Sequence, residues 1–244
     1  MPRFFTPSEN FDGNTVKITG DDARHIARAL RMAVGDEITA CDMQGREHLC
    51  RLTRIRDEEC VCEIIESREG QTESPLYITL YMSYPKGDKL EFVIQKAVEL
   101  GASRIVPFES SRCVKRPNED KIEKQTARLQ RIAEEAAKQC GRARLAIVEK
   151  PVSFKAAIAD AKKSDVALFC YEGDGTRSMK DILAEAKDAK TAAVIVGCEG
   201  GFSLEEANYS IREGLTPTNL GPRILRCETA PIYALSCISF AYEL

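Results

Sequence analysis

The 244-residue sequence has no tryptophan, only 7% aromatic residues and two histidines, His25 and His48. So few aromatic platforms exclude extensive base stacking as the main mode of ligand capture. With two histidines and no C-x-x-C pair there is no metal-ligand spacing, and no metal is expected. The sequence G-x-x-x-x-G-K-[ST] does not occur, which excludes an ordinary P-loop NTPase. No apolar run approaches the roughly 18 residues of a membrane span. The opening MPRFFTPSEN lacks the apolar stretch of a signal peptide, so a cytoplasmic protein with no membrane partner is expected. Thirty-five basic against 38 acidic residues leave a net charge of −3, which excludes nucleic-acid binding by bulk positive charge but not by a local patch. The ten cysteines sit mostly in apolar segments such as VALFC and ALSCISF, where a reduced thiol acts as a small hydrophobe.

What is present divides near residue 70. Before it, TVKI (15–18), EITAC (37–41), HLCRLTRI (48–55) and CVCEIIE (60–66) read as short antiparallel strands. A helix over GDDARHIARALRM interrupts them, with Asp21 or Asp22 as N-cap. Residues 1–70 are expected to form a small β-barrel-like module, and SREGQTESP (67–75) a linker. Residues 71–244 alternate continuously apolar strands with helices, the pattern of an α/β domain whose parallel sheet is covered on both faces.

Ligands of such sheets bind beyond the carboxyl ends of the strands, and three loops there have unusual compositions. The first runs Tyr171-Glu172-Gly173-Asp174-Gly175. The second, Gly197-Cys198-Glu199-Gly200-Gly201-Phe202-Ser203, has three glycines that let backbone amides approach a ligand, and Ser203 with Glu206 spells a capping box. The third, Leu220-Gly221-Pro222-Arg223-Ile224-Leu225-Arg226-Cys227-Glu228-Thr229-Ala230-Pro231, leads into a closing helix with Thr229 as a plausible N-cap. Taken singly, these are also what a tight strand-to-helix turn or a salt-bridged surface loop would look like. Together they imply a cleft without naming its ligand.

GCEGGFS followed by LGPRILRCETA resembles the RsmE family, the 16S ribosomal RNA uridine-N3 methyltransferases of the SPOUT superfamily. The likeness extends over nearly the whole chain: Arg3-Phe4-Phe5, His25 to Arg31, KAVELG (96–101), Arg112 with Lys115, and EAAKQCGR (135–142) resemble other blocks of that family. Cys198 stands where the family usually has proline. The resemblance implies an N-terminal PUA-like barrel and a C-terminal SPOUT domain with a deep trefoil knot near 166–244. It implies S-adenosylmethionine as cofactor, held by Glu172, Gly197, Glu199, Gly200, Gly201, Leu220, Gly221, Ile224, Leu225 and Ala230. It implies a homodimer acting on a uridine near the decoding centre, with the assembled small subunit rather than free 16S rRNA as partner.

For transfer to a uridine N3, Arg226 is expected to offset negative charge growing on the uracil, with Glu228 orienting it. Arg24, Arg28 and Arg31 fall on one helical face, with Ile26 and Leu30 opposite, so the guanidinium row should face phosphate. Between Arg112 and Arg144, ten basic and five acidic residues give a local +5. Arg3, Arg112, Lys115 and Arg142 join the expected RNA contacts, and binding should weaken steeply with salt. Two other readings fit less of the sequence. A non-catalytic structured-RNA-binding protein would leave the GCEGGFS and ILRCETA loops without a use, and a small-molecule nucleotide enzyme would leave the arginine row unexplained.

Overall fold

The computed structural model describes residues 1–114, 116 and 119–244, Glu119 by its backbone alone. The chain folds as two compact units: Met1–Glu73 with Ala137–Leu145, and Ser74–Ala136 with Ala146–Leu244.

The first unit is built on a six-stranded sheet of β1 (Arg3–Phe5), β2 (Phe11–Asp12), β3 (Thr15–Thr19), β4 (Glu37–Cys41), β5 (Arg46–Ile55) and β6 (Glu59–Glu69), in the order β1-β4-β5-β6-β3-β2. β1 runs parallel to β4 and the other neighbours are antiparallel. β3 shows the cause: Val16 and Ile18 are buried while Thr15, Lys17 and Thr19 are exposed, the period-two pattern of a strand with one wet face. Val16, Ile18, Ile38, Leu52 and the thiols of Cys50, Cys60 and Cys62 share one core with Phe4 and Ile26.

The arginine-bearing helix differs from expectation. α1 covers only Gly20–Arg24, its N-cap position is Thr19 rather than Asp21 or Asp22, and a π-helical turn follows at His25–Ala29. Arg31 then takes a left-handed φ of 50°. The wider π turn rotates the register, so Ile26 is fully buried but Leu30, expected to pack inward, is 39% exposed.

β6 runs on to Glu69, through the first residues of the expected linker, and the rest is tied down. Thr72 Oγ1 donates to the Gly141 carbonyl at 2.9 Å, and Arg142 Nη2 meets Glu73 Oε2 at 2.7 Å. These bonds are why residues 137–145, expected with the second domain, pack in the first unit.

The second unit holds β7 (Tyr77–Ser83), α2 (Lys89–Glu99), β8 (Arg104–Glu109), most of α3 (Ile122–Cys140), β9 (Ile147–Val148), β10 (Val152–Ser153), α4 (Phe154–Ala161), β11 (Val166–Cys170), β12 (Arg177–Ser178), α5 (Met179–Glu185), β13 (Thr191–Val196), α6 (Leu204–Arg212), β14 (Thr216–Asn219) and α7 (Thr229–Glu243). Its strands lie in the order β10-β8-β7-β13-β11-β14-β12, all parallel, with β9 beside β8. β13 therefore sits between β7 and β11, and the carboxyl ends of β11, β13 and β14 lie side by side. Among the described residues, no helix is long and apolar enough to cross a membrane.

Two features fix the loop after β13. Phe202, 5% exposed, stacks at 6.3 Å on Phe108 and packs at 4.6 Å on Phe169, which anchors the loop's end in the core. The capping box forms: Glu206 N–H donates to Ser203 Oγ at 3.2 Å and Ser203 N–H to Glu206 Oε2 at 2.9 Å. Glu206 also accepts from the Ser111 backbone at 2.7 Å and its hydroxyl at 2.9 Å, joining α6 to the loop after β8.

Candidate active site

The loops after β11, β13 and β14 enclose a cleft of about 550 Å³. Of the residues expected there, Glu172, Gly197, Glu199, Gly201, Leu220, Gly221, Ile224, Leu225, Arg226, Glu228 and Ala230 line it. Gly200 does not: its free side faces Arg112, whose Cβ would lie 3.0 Å from an added Cβ. Gly197 is required by space, since a Cβ there would sit 3.0 Å from the backbone of Gly201. Gly201 is required by conformation, with φ +62° and its open side 3.4 Å from Glu172 Oε1. α7 begins one residue earlier than expected, with Glu228 in the N-cap position, and the Arg226 carbonyl accepts from the N–H groups of Thr229 and Ala230 at 2.9 Å each.

The charge arrangement is not the expected one. Glu228 pairs not with Arg226 but with Lys89, at 3.1 Å from Nζ, and Glu199 binds the same Nζ at 3.0 Å. The Lys86 backbone N–H adds a 3.0 Å bond to Glu199. Burial pushes the Glu199 carboxyl upward, but its own N–H, Lys89 and the Lys86 amide outweigh it and hold it below the ordinary carboxylate value. Glu228 is likewise lowered: burial opposes, while its own N–H, the Cys227 thiol and Lys89 prevail. The two carboxylates raise Lys89 above a normal lysine, so it stays charged. Arg226 is exposed, and among the described residues its guanidinium makes no hydrogen bond or ion pair.

Lys89 was missed by the sequence reading, yet it left a mark there. It is the first residue of α2, where the helix dipole disfavours a cation. A lysine at that place, after a strand of a parallel sheet, points to anionic partners.

A family model described as an RNA methyltransferase domain matches residues 72–239, and one described as an RNA methyltransferase PUA domain matches residues 18–65. A Bacillus subtilis protein named ribosomal RNA small subunit methyltransferase E is 34% identical over 100% of this chain and 98% of its own length. The chain belongs to that family of RNA methyltransferases. Among solved structures, a ribosomal RNA small subunit methyltransferase E from Neisseria gonorrhoeae, bound to S-adenosyl methionine, matches with a TM-score of 0.87 and 32% identity, covering 99% of this chain and 98% of that one. A putative methyltransferase from Legionella pneumophila in complex with the cofactor matches with a TM-score of 0.86 and 30% identity, over 98% of this chain and 97% of that one.

The Cys198 side chain makes a contact that the proline expected at that position could not make. Its thiol lies 3.8 Å from Ser110 Oγ, and Ser110 and Ser83 stand 3.4 and 3.1 Å from the Cys113 sulfur. Gly201 N–H closes the turn on the Cys198 carbonyl at 2.8 Å. The Cys198 thiol bond, aided by Ser110 and Ser83 and opposed by burial, holds Cys113 well below a normal thiol, while Cys198 itself is pushed up. Cys198→Ala should therefore raise the pH at which the Cys113 thiolate appears, read by ultraviolet thiolate absorbance against a Cys113→Ala blank. An unshifted titration would show that the two sulfurs do not interact.

The arginines expected to meet RNA divide. Arg24, Arg28 and Arg31 are exposed, though Arg24 is paired with Asp21 and Arg28 with Asp57. Arg112 is exposed and donates to the Gly200 carbonyl at 2.7 Å, which places it beside the glycine loop. Lys115 lies outside the described residues. Arg3 and Arg142 are turned inward. Arg3, its side chain 14% exposed, binds Glu47 at 2.8 Å and the Arg142 carbonyl at 3.2 Å; Arg142, 4% exposed, holds Glu73. Both guanidiniums are engaged by acceptors within the first unit. Arg128 is likewise engaged, on Glu91 at 2.9 Å, so the local +5 is smaller as seen by a ligand.

Proposed function

We propose that the chain is an S-adenosylmethionine-dependent methyltransferase of uridine N3 in 16S rRNA near the decoding centre, acting on the assembled small subunit in the cytoplasm. The observation that carries this reading is the cleft itself: a family methyltransferase brings a glycine cradle, an apolar wall and an exposed arginine together at the ends of three parallel strands. The residues fit the cofactor. Gly197 and Gly201 open backbone that a side chain would fill, and Leu220, Ile224 and Leu225 offer an apolar surface for an adenine ring. The bound donor supplies an electrophilic methyl group on a sulfonium.

The chain's residues do the rest by position and charge. Holding the uracil nitrogen in line with the methyl group can remove about 7–11 kcal/mol of the barrier. The Arg226 guanidinium, free to bond a uracil carbonyl, offsets the negative charge that grows as N3 gives up its proton to solvent water, an effect of about 3 kcal/mol for one such donor. Glu199 and Glu228 are lowered, the wrong direction for a general base at neutral pH, so we assign them to Lys89 rather than to proton transfer. Arg24, Arg28 and Arg31 of the PUA unit and Arg112 beside the glycine loop are the proposed phosphate contacts.

We further propose that residues 166–244 thread as a trefoil knot, which the insertion of β13 between β7 and β11 supports. A homodimer is supported by the apolar outer face of α7, where Phe240 is 73% and Tyr233 41% exposed. Methyl transfer to undermodified small subunits, with transfer RNA as control, tests the function. A methyl group at one small-subunit uridine N3 is expected; cofactor binding with no transfer to any RNA would leave a non-catalytic RNA-binding protein.

A further inference from the structure

We infer that Lys89 is a positioning residue for the transfer: its ammonium clamps Glu199 and Glu228 and so sets the spacing between the glycine loop and the start of α7. The inference rests on the reading of the cleft as the methyl-donor site. Three segments remote in sequence meet at one nitrogen. Glu199 comes from the loop after β13 and Glu228 from the N-cap position of α7, and their side chains are only 30% and 19% exposed. Lys89 comes from the first turn of α2. Glu199 stands between Gly197 and Gly201, and Glu228 two residues beyond Arg226, so each held carboxylate fixes one wall of the cleft.

Without the ammonium, two carboxylates that each approach the same point within about 3 Å would repel one another. Their bonded oxygens lie on one nitrogen, at 3.0 and 3.1 Å, so they are at most about 6 Å apart; like charges that near do not both stay ionised without cost, and one takes up a proton or the walls part. Other groups facing the pair do not replace the ammonium. The Cys227 thiol donates to Glu228 at 3.2 Å and lies 3.9 Å from Lys89, and burial followed by the Glu228 bond pushes it up to about 12, so it stays neutral. The Lys86 amide contributes one neutral donor to Glu199. Arg223, Arg226 and Glu172 also line the cleft, but neither arginine is paired with Glu199 or Glu228.

A positioning role through charge predicts a pH signature that a packing role would not give. In the intact protein both carboxylates are lowered, so their contribution is present above the ordinary carboxylate pKa and is lost only on strong acidification. In Lys89→Met one of the pair is raised instead, so that variant is penalised at neutral pH and relieved as the solution is acidified. Titration with S-adenosylmethionine by calorimetry should show about a ten-fold or greater loss of affinity for Lys89→Met near pH 7.5, shrinking to within about three-fold near pH 5. Lys89→Arg should recover most of it. Equal affinity at both pH values, or a loss of the same size at both, would overturn the inference.

The ligand-free protein gives a second readout that does not depend on cofactor binding. The melting-temperature gap between intact protein and Lys89→Met should be larger near pH 7.5 than near pH 5. An equal gap would again overturn the clamp. If the intact protein failed to bind S-adenosylmethionine while the melting gap behaved as stated, the functional reading would fall and the clamp would stand.

Discussion

Arg226→Ala should lower methyl transfer about 10²–10³-fold while leaving S-adenosylmethionine affinity within about two-fold. The split follows from where the residue sits. Its backbone carbonyl accepts from Thr229 and Ala230 and starts α7, and an alanine keeps that carbonyl, so the cofactor wall it supports is retained. The guanidinium is exposed and binds nothing else among the described residues. Its removal therefore costs no ion pair and leaves no orphaned carboxylate, because Glu228 belongs to Lys89. What is lost is a donor needed only when charge appears on the uracil, which reads as a lower kcat with an unchanged KM for the cofactor. Arg226→Lys should recover part of the rate, since the charge survives but the planar pair of donors does not. Turnover within a few-fold of the intact protein would remove Arg226 from the reaction. Parallel loss of cofactor affinity and turnover would move it into the cofactor seat instead.

The parts of this molecule that follow local rules were legible in its sequence. Val16 and Ile18 alternate with polar neighbours, and β3 forms where that alternation stands. The continuously apolar runs at 166–170 and 191–196 become adjacent parallel strands. Ser203 and Glu206 cap α6 as their spacing requires. Motif resemblance carried the three loops to one cleft, which no periodicity could have done.

What escaped were decisions made by partners remote in the chain. Glu228 had two cations within reach in principle, Arg226 two residues away and Lys89 far upstream, and only the packing of α7 against α2 selects the second. The arginine row was read as an ideal helix, but a π turn and the left-handed Arg31 bend it, so the residues remain exposed without lying on one helical stripe. The short pairing strand β1 has three residues and no alternation to announce it; the sheet edge of β4 recruits it. Gly200 matched a motif, yet its free side serves Arg112 rather than the cleft.

Arg142 separates the two kinds of reading most sharply, and its replacement should cost the first unit a large part of its stability. A basic residue within EAAKQCGR, in a locally cationic stretch, suggested a phosphate contact. The structure buries its side chain to 4% exposure with Nη2 2.7 Å from Glu73, while Glu73 Oε1 accepts from the N–H groups of Ala143 and Arg144 at 2.9 and 3.1 Å. Arg142→Ala removes the charge that is paired with that carboxylate and leaves a space where the buried guanidinium stood. Breaking a buried pair from one side costs about 3–5 kcal/mol, and the two amides that remain on Glu73 favour the lower end. Urea unfolding should therefore show a loss of about 3 kcal/mol, and Glu73→Gln in the same chain should restore part of it by removing the stranded charge. A phosphate contact predicts the reverse: unfolding within about 0.5 kcal/mol of the intact protein and a salt slope for RNA binding shallower by about one. The two outcomes do not overlap, so one pair of titrations decides whether this arginine holds the fold or the RNA.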